Sequence, residues 1–523
     1  MKKCLLIWTP LNFCFSLHLG IPFLVSHLKN KGIDSLVFDM NAAYLSRHRF
    51  FWFLFMFRRR SRDLALAIVN SCVKGSRDRK IRKRFFLKKI FYNPMTAAID
   101  NLTRYLEDRE KGRIPWSLES IIDSALEGGS ASTRRKISDI LRPVIEKEDL
   151  SLIGISVVYP EQLFFALMIA RVIKEDFGKD MPVVLGGSQI TKHIAHIVNN
   201  KKVYDFVNFL VVGDGEKALS DLLDRPDEKS FSNIPNLYFK SRKIGRKYER
   251  SGCDFYLDAG DIPAPDFTGF DLDIYEKALP ILISKGCTWS KCNFCTYASL
   301  QEHRYSINNV ARTIEIIKEM NARYKASEFR FIDDELPSNF LERLAAELFK
   351  SGLDIKWSCS VTLNEDFADR AFCETLKIGG LNGLTIGLES ASPRILGLMN
   401  KRHQYMAKEA IEGILSTLKE AGIDVGLHII FGFPTETLDE VRQTVDFLVD
   451  NRDMYADCWA QPFCLEEDTP VFKNPERFGI TKIYRENKVS GERLGYRYEV
   501  TGGMSQEAAR SFTYGEAKRA LKR

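Results

Sequence analysis

Between residues 280 and 450 short apolar runs rich in β-branched and aromatic residues alternate five times with longer segments whose apolar residues recur at helical spacing. The runs include "EFRFID", "IKWSCSV", "LTIGLES" and "DVGLHIIFG", and the helical segments fall near 307–322, 338–351, 366–378, 407–421 and 437–450. Such serial βα units fold with parallel strands, because successive parallel neighbours must be joined by crossovers, and with helices outside. The expectation is an α/β barrel, complete or partial, over residues 279–455. Its chemistry belongs at the carboxyl ends of the strands.

At the first of those ends stands "SKGCTWSKCNFCTYAS", residues 284–299, with Cys287, Cys292 and Cys295 inside nine residues. A zinc site usually takes four protein ligands, often as two Cys-x-x-Cys arms, and only one such arm is present here. Three thiolates on one tight loop suit a four-iron cluster with one iron left open, since cluster irons are normally held one cysteine each. From the residues alone a cluster, a zinc ion completed by a distant cysteine, and unligated core thiols all stand as readings.

The first half has the same character. Residues 4–9 read as a strand, 17–31 as a helix and 34–39 as a second strand ending in Asp39, a βαβ opening of the doubly wound kind. After a basic, largely helical insertion at 45–145 the alternation resumes with "LSLIGISVV", "PVVLGGSQIT" and "FVNFLVVGDGEKAL". Gly186, Gly187, Gly213 and Gly215 follow apolar strands there, where glycine lets backbone approach a ligand closely, though βα turns use glycine routinely. The expected division is 1–240 as a Rossmann-like domain, 241–278 as a linker containing "DIPAPDFTGFD", 279–455 as the barrel, and 456–523 as a C-terminal region.

Eleven cysteines, an odd number scattered singly apart from the triplet, do not make a disulfide framework and point to a reducing compartment, the cytoplasm by default. The basic, apolar start "MKKCLLIWTP" reads as a buried strand and turn rather than a signal peptide, and no segment supplies the ~18 apolar residues of a membrane span. Much of the net charge of +7 lies in residues 47–89. That run reads as a solvated helical face, with a membrane surface or an acidic partner as the alternative, and it matches no nucleic-acid module.

"GCTWSKCNFC" at the end of a first barrel strand resembles the cluster loop of radical S-adenosylmethionine (SAM) enzymes, with four residues instead of the common three between the first two cysteines. "FRFIDDELPS", "LTIGLESASPRILGLMNK" and "HIIFGFPTET" are similar to that family's second-, fourth- and fifth-strand motifs. The N-terminal half, through "LGIPFLVSHLKNKGIDSLVFDMN", "IGISVVYPEQ", "VVLGGSQIT" and "VVGDGEKAL", resembles the cobalamin-binding Rossmann-like domain that precedes this barrel in one large subgroup.

The resemblance implies an N-terminal Rossmann-like domain, a partial (β/α)6 barrel, and three cofactors: a [4Fe-4S] cluster on Cys287, Cys292 and Cys295, SAM, and cobalamin. It places Phe294, Asp333, Asp334, Glu389, Ser390 and Gly432 around SAM, and Ser156, Gly186, Gly187, Gly213 and Gly215 around cobalamin. The Asp-x-His-x-x-Gly signature of histidine-ligated cobalamin is absent, since His18 lacks both the aspartate and the spacing, so a base-off form without histidine is implied. Read as ordinary residues, Asp333 and Asp334 would cap a helix and Phe294 would be core, whereas Glu389 in an apolar strand needs a partner. His403 and His428 read as structural, and Tyr159 and Tyr297 as neighbours of the cavity. The implied activity is methylation of an unactivated carbon or a phosphinate in a natural-product or peptide substrate, with a reducing partner such as flavodoxin or ferredoxin. The alternatives are a non-methylating radical reaction with the same cofactors and, from another class, a zinc-stabilised binding protein.

Overall fold

The computed structural model describes residues 2–9, 17–40, 42, 117–128, 131–224, 228–241, 245–297, 304–490 and 493–521. The basic stretch 47–89 lies outside them. Of the expected helical insertion, Leu118–Leu126 and Ala131–Ile145 are described, and both are α-helices. No helix among the described residues is long and apolar enough to cross a membrane.

The chain divides into two compact units: Met1–Ser16, Leu28–Asp254 and Phe267–Glu276 form the first, and Leu17–His27, Phe255–Asp266 and Lys277–Arg523 the second. The first is built on a seven-stranded sheet of β1 (Lys3–Trp8), β2 (Asp34–Asp39), β3 (Leu152–Ser156), β4 (Val183–Gly186), β5 (Phe209–Val211), β6 (Leu237–Lys240) and β7 (Tyr248–Arg250). Its order is β2-β1-β3-β4-β5-β6-β7, with the first five parallel and the last two antiparallel. Leucine, isoleucine and valine run through β1, β3 and β4 almost without polar interruption because both faces of a parallel sheet are covered.

The order 2-1-3-4-5 reverses direction between β1 and β3, and doubly wound sheets open a crevice at such a switch. Buried Gln162 spans it, its amide donating to the Thr9 carbonyl (3.1 Å) while its oxygen accepts from Val158 and Tyr159. Asp39, at the end of β2, is engaged by the Tyr275 hydroxyl at 2.9 Å from each carboxylate oxygen, and Tyr275 stacks on Trp8.

The second unit carries a six-stranded parallel sheet: β8 (Leu279–Ile281), β11 (Glu328–Phe331), β12 (Lys356–Val361), β13 (Leu381–Glu389), β14 (Asp424–Phe431) and β15 (Asp457–Pro462), neighbours in that order. Two short strands, β9 (Ser284–Lys285) and β10 (Ser306–Ile307), pair beside it. Alternate residues divide its faces. Phe329, Phe331, Trp357, Ile386, Leu427 and Phe431 are buried, the Phe431 ring packing on Phe512 of the helix Gln506–Phe512. The residues between them are Arg330 on β11, Ser358 and Ser360 on β12, Gly383, Thr385 and Gly387 on β13, and Gly426, His428 and Ile430 on β14.

The sixth strand, β15, falls at residues 457–462, past the expected barrel boundary of 455. Beyond it in the chain lies a hairpin of β16 (Ile480–Ser490) and β17 (Arg493–Val500), whose Ile480, Tyr496 and Tyr498 share a core with Phe433, Phe463 and Phe478.

Gly186 and Gly187 make opposite demands. Gly187 has φ +104°, and a β-carbon there would lie 2.5 Å from the Val157 carbonyl oxygen; at Gly186 the nearest atoms would be 3.8 Å away. Gly187→Ala is expected to destabilise the first unit by about 1–3 kcal/mol, and Gly186→Ala to stay within about 0.5 kcal/mol of wild type. Denaturant titration of the two variants checks the contrast.

Candidate active site at the carboxyl ends of the strands

The cysteine loop leaves β9 through Gly286 (φ +81°), where a β-carbon would collide with the Arg304 carbonyl. The additional residue between Cys287 and Cys292 is accommodated beside Trp289, where Ser290 takes a left-handed φ of +46°. The loop is then tied to residues 398–400, which end the helix Pro393–Met399. The Trp289 indole donates to the Asn400 carbonyl (2.7 Å), Asn400 Nδ2 donates to the Lys291 carbonyl (2.8 Å), and Asn293 donates from its backbone to Met399 (2.9 Å) and from its side chain to Leu398 (2.8 Å). On the other side Val471 N–H donates to the Asn293 carbonyl (3.1 Å). Phe294 packs against the core that the hairpin shares with Phe433, so its placement is fixed by apolar burial.

Two residues that periodicity cannot flag hold this loop. Glu335, 2% exposed after β11, accepts through Oε2 from Thr288 N (2.9 Å), Thr288 Oγ1 (2.6 Å) and the Cys287 thiol (3.2 Å), while its Oε1 is bound by Arg402 (2.9 Å). Arg402 also donates to Thr288 Oγ1 (2.6 Å) and lies over the Trp289 ring. The signal for them was only that charged residues, "DDE" and "KR", sit in motifs at strand and helix ends.

Burial, with the Glu335 charge adding to it, pushes the Cys287 thiol up to about 11; burial likewise lifts Cys292 to about 12, with Lys401 opposing and Cys295, Glu389 and Cys287 adding to the rise. Cys292 thus lies in the field of both other sulfurs, of Glu389 and of Lys401. As they stand, with Cys287 turned to Glu335, no three Cys, His, Asp or Glu side chains among the described residues converge closely enough to hold a metal ion. The donor set nonetheless fits a cluster: three thiols on a clamped loop, with a buried cation beside two of them.

That cation is Lys401. Its Nζ lies 3.1 Å from Glu389 Oε1, with both side chains only 9% exposed. Burial pushes the Lys401 ammonium down, but Glu389 and the Cys292 and Cys295 thiols outweigh it and raise its pKa above the ordinary value. Glu389 reaches this position through a bulge, with φ +66° and a register shift after Gly387. A β-carbon at Gly387 would sit 2.6 Å from Glu389 Oε1 and 3.0 Å from Lys401 Nζ.

Asp333 is buried. Its Oδ1 accepts from Ile283 N (3.0 Å) and Ser284 Oγ (2.6 Å), its Oδ2 has no hydrogen-bond partner, and burial outweighs those bonds to push its pKa up to about 6. Asp334 is exposed next to it. The Tyr305 hydroxyl is likewise buried without a partner, in the field of Glu335, Asp333 and Cys287.

Other expected ligand contacts have structural partners here. The Ser390 hydroxyl is 3.2 Å from Thr444 Oγ1 and accepts from Ser392 N. Gly432 (φ +75°) gives room to Ala509, whose β-carbon lies 2.1 Å from where one at 432 would stand. Its N–H is bound by Glu436, a fully buried carboxyl that burial pushes up to about 8. His403 Nε2 is 3.2 Å from the Leu388 carbonyl and, with burial and then Lys401 opposing its charge, its pKa falls to about 4. Tyr297 is half exposed.

In the first unit the sheet brings Ser156, Gly186 and Gly213 to its carboxyl edge, with Ser156 opposite Gly186 in register, and Gly215 begins the turn into the helix Glu216–Asp224. Tyr159 precedes the helix Pro160–Val172. Thr9, at the end of β1, is fully buried with its hydroxyl unpartnered.

Removing one member of the buried Glu389–Lys401 pair strands a charge. Lys401→Met is expected to cost about 3–5 kcal/mol, and Lys401→Met with Glu389→Gln to recover most of it; chemical denaturation of the metal-free chain measures both.

Residues 281–448 match the Radical SAM superfamily. An uncharacterized methyltransferase of Pyrococcus horikoshii is 27% identical over 317 residues, covering 59% of this chain and 66% of that protein. The anaerobic magnesium-protoporphyrin IX monomethyl ester cyclase of Rubrivivax gelatinosus is 22% identical over 338 residues, 62% of this chain and 59% of that one. The matched part therefore spans just under two thirds of these relatives' lengths. The radical SAM methyltransferase TsrM of Kitasatospora setae, solved with cobalamin and a [4Fe-4S] cluster, superposes with a TM-score of 0.60 at 16% identity, covering 100% of this chain and 91% of that one, a likeness of fold. Residues 281–448 thus form a domain of the Radical SAM superfamily, and the chain's fold is like that of the radical SAM methyltransferase TsrM.

Proposed function

We propose that this chain is a cobalamin-dependent radical SAM methyltransferase acting on an unactivated carbon or a phosphinate of a natural product or peptide. The observation that carries the reading is the three-cysteine loop clamped at the carboxyl end of the first strand, in the electrostatic field of a buried lysine. Cys287, Cys292 and Cys295 would hold the cluster, which supplies the electron that splits SAM, and cobalamin would supply the methyl group.

The chain's own residues have definite tasks in that reading. Lys401 supplies positive charge that favours the thiolates of Cys292 and Cys295, and Glu389 keeps that lysine charged and in place. The free oxygen of Asp333, with its partner oxygen saturated by the start of the cysteine loop, would accept from the ammonium group of SAM. Glu335 and Arg402 orient Thr288 and keep the loop closed against water. Thr9, Ser156, Gly186, Gly187 and Gly213 line the carboxyl edge at and beside the switch point, where a cobalamin would find a hydroxyl without a partner and backbone free of side chains.

A second reading, a radical reaction without methyl transfer, is favoured by the cyclase relative. The two separate on methyl-labelled SAM: label in the product supports methyl transfer, and its absence with turnover supports the other. The shared foundation is tested by anaerobic reconstitution with iron and sulfide. The expected result is a cluster absorbance band and an electron paramagnetic resonance signal on reduction, lost in Cys287→Ala, Cys292→Ala and Cys295→Ala; a wild-type chain that takes up zinc but no iron would falsify it.

A further inference from the structure

The six-stranded sheet of the second unit has an interior unlike that of a closed barrel. A barrel that serves only as scaffold fills this space with layers of branched apolar side chains. Here the face opposite the buried one carries Ser358, Ser360, Thr385 and Gly387, none of them buried. Into that open face project two rings. His428 of β14 and Trp459 of β15 are paired in register, both are exposed, Trp459 at 41%, and their centroids are 5.2 Å apart at an interplanar angle of 36°.

The indole is held by shape as well as by its neighbour. A β-carbon at Gly426 would lie 2.3 and 2.5 Å from Trp459 Cζ3 and Cη2, so the absence of a side chain at 426 permits this position of the ring. Gly387, His428 and Trp459 form one row across three adjacent strands. At the usual strand spacing the row is about 10 Å long. Its first member abuts the Glu389–Lys401 pair, whose lysine is in the field of Cys292 and Cys295. The row therefore runs from the Glu389–Lys401 pair over Gly387 to an exposed aromatic surface.

We propose that this open face binds the substrate through a planar aromatic ring stacked on Trp459 beside His428, with Ser360, Thr385 and Gly387 leaving the width the ring needs. A flat π-system matches the exposed indole in a way that an aliphatic or purely charged group does not. The inference rests on the proposed function, and it names the chemical class of the substrate at that site.

The test is equilibrium binding to the full-length chain of L-tryptophan by calorimetry and of protoporphyrin IX by absorbance change, a small ring and a macrocycle, with cyclohexylalanine as a saturated-ring control. At least one aromatic probe is expected to bind, cyclohexylalanine not to, and binding to weaken about tenfold in Trp459→Ala. Trp459→Phe should retain most of the affinity, and Gly426→Val, which displaces the indole, should lose it. Absence of binding by both aromatic probes, equal binding of the saturated control, or unchanged affinity in a folded Trp459→Ala would each overturn the inference. Iron content after reconstitution, read on the same preparations, distinguishes the two failures: a wild-type chain without a cluster fails the functional reading, whereas a cluster-loaded chain indifferent to Trp459 fails this one.

Discussion

Two consecutive cations hold the site together by diverging. Lys401 turns to Glu389 on β13 and Arg402 turns to Glu335 beyond β11, so one short segment is anchored to two strands separated in the sheet by β12. Each carboxylate is almost fully buried and would carry a large desolvation cost alone, which makes both partners obligatory. The cysteine loop lies against that segment, joined to it by Trp289, Asn293 and Asn400. A loop with an additional residue, which chain entropy would leave loose, is thereby given one conformation.

The sheet contributes a division of labour between its faces. One face is packed with Phe329, Trp357, Ile386, Leu427 and Phe431 and supplies the hydrophobic stabilisation. The other carries Ser358, Ser360, Thr385 and Gly387 beside Arg330 and His428, and the C-terminal hairpin adds a further core around Phe433, Phe463 and Tyr498. Phe294 belongs to the edge of this core, which couples the fold of the last quarter of the chain to the geometry of the cysteine loop.

Much of the fold was legible because parallel strands buried on both faces and amphipathic helices leave distinct periodicities. "LTIGLES" and "DVGLHIIFG" read as strands and are strands, and the cysteine triplet marked its own loop. The expected end of the barrel stopped short of β15 because "DCWAQP" alternates partly exposed residues and lacks the buried run of its neighbours. Glycine was the least legible residue type: at Gly187 and Gly432 the Val157 backbone and Ala509 occupy the space a side chain would fill, a packing demand that the sequence does not mark.

By itself the sequence determined the serial βα architecture, the spacing of three thiols and their place at a strand end, since these depend on local pattern and covalent order. Only the tertiary structure decided that Glu335, Lys401 and Arg402 surround those thiols, that Asp333 keeps an oxygen free, and that Trp459 and His428 share the open face. Those facts depend on register between strands far apart in the chain, and a charge or ring in a single sequence carries no mark of what the fold brings beside it.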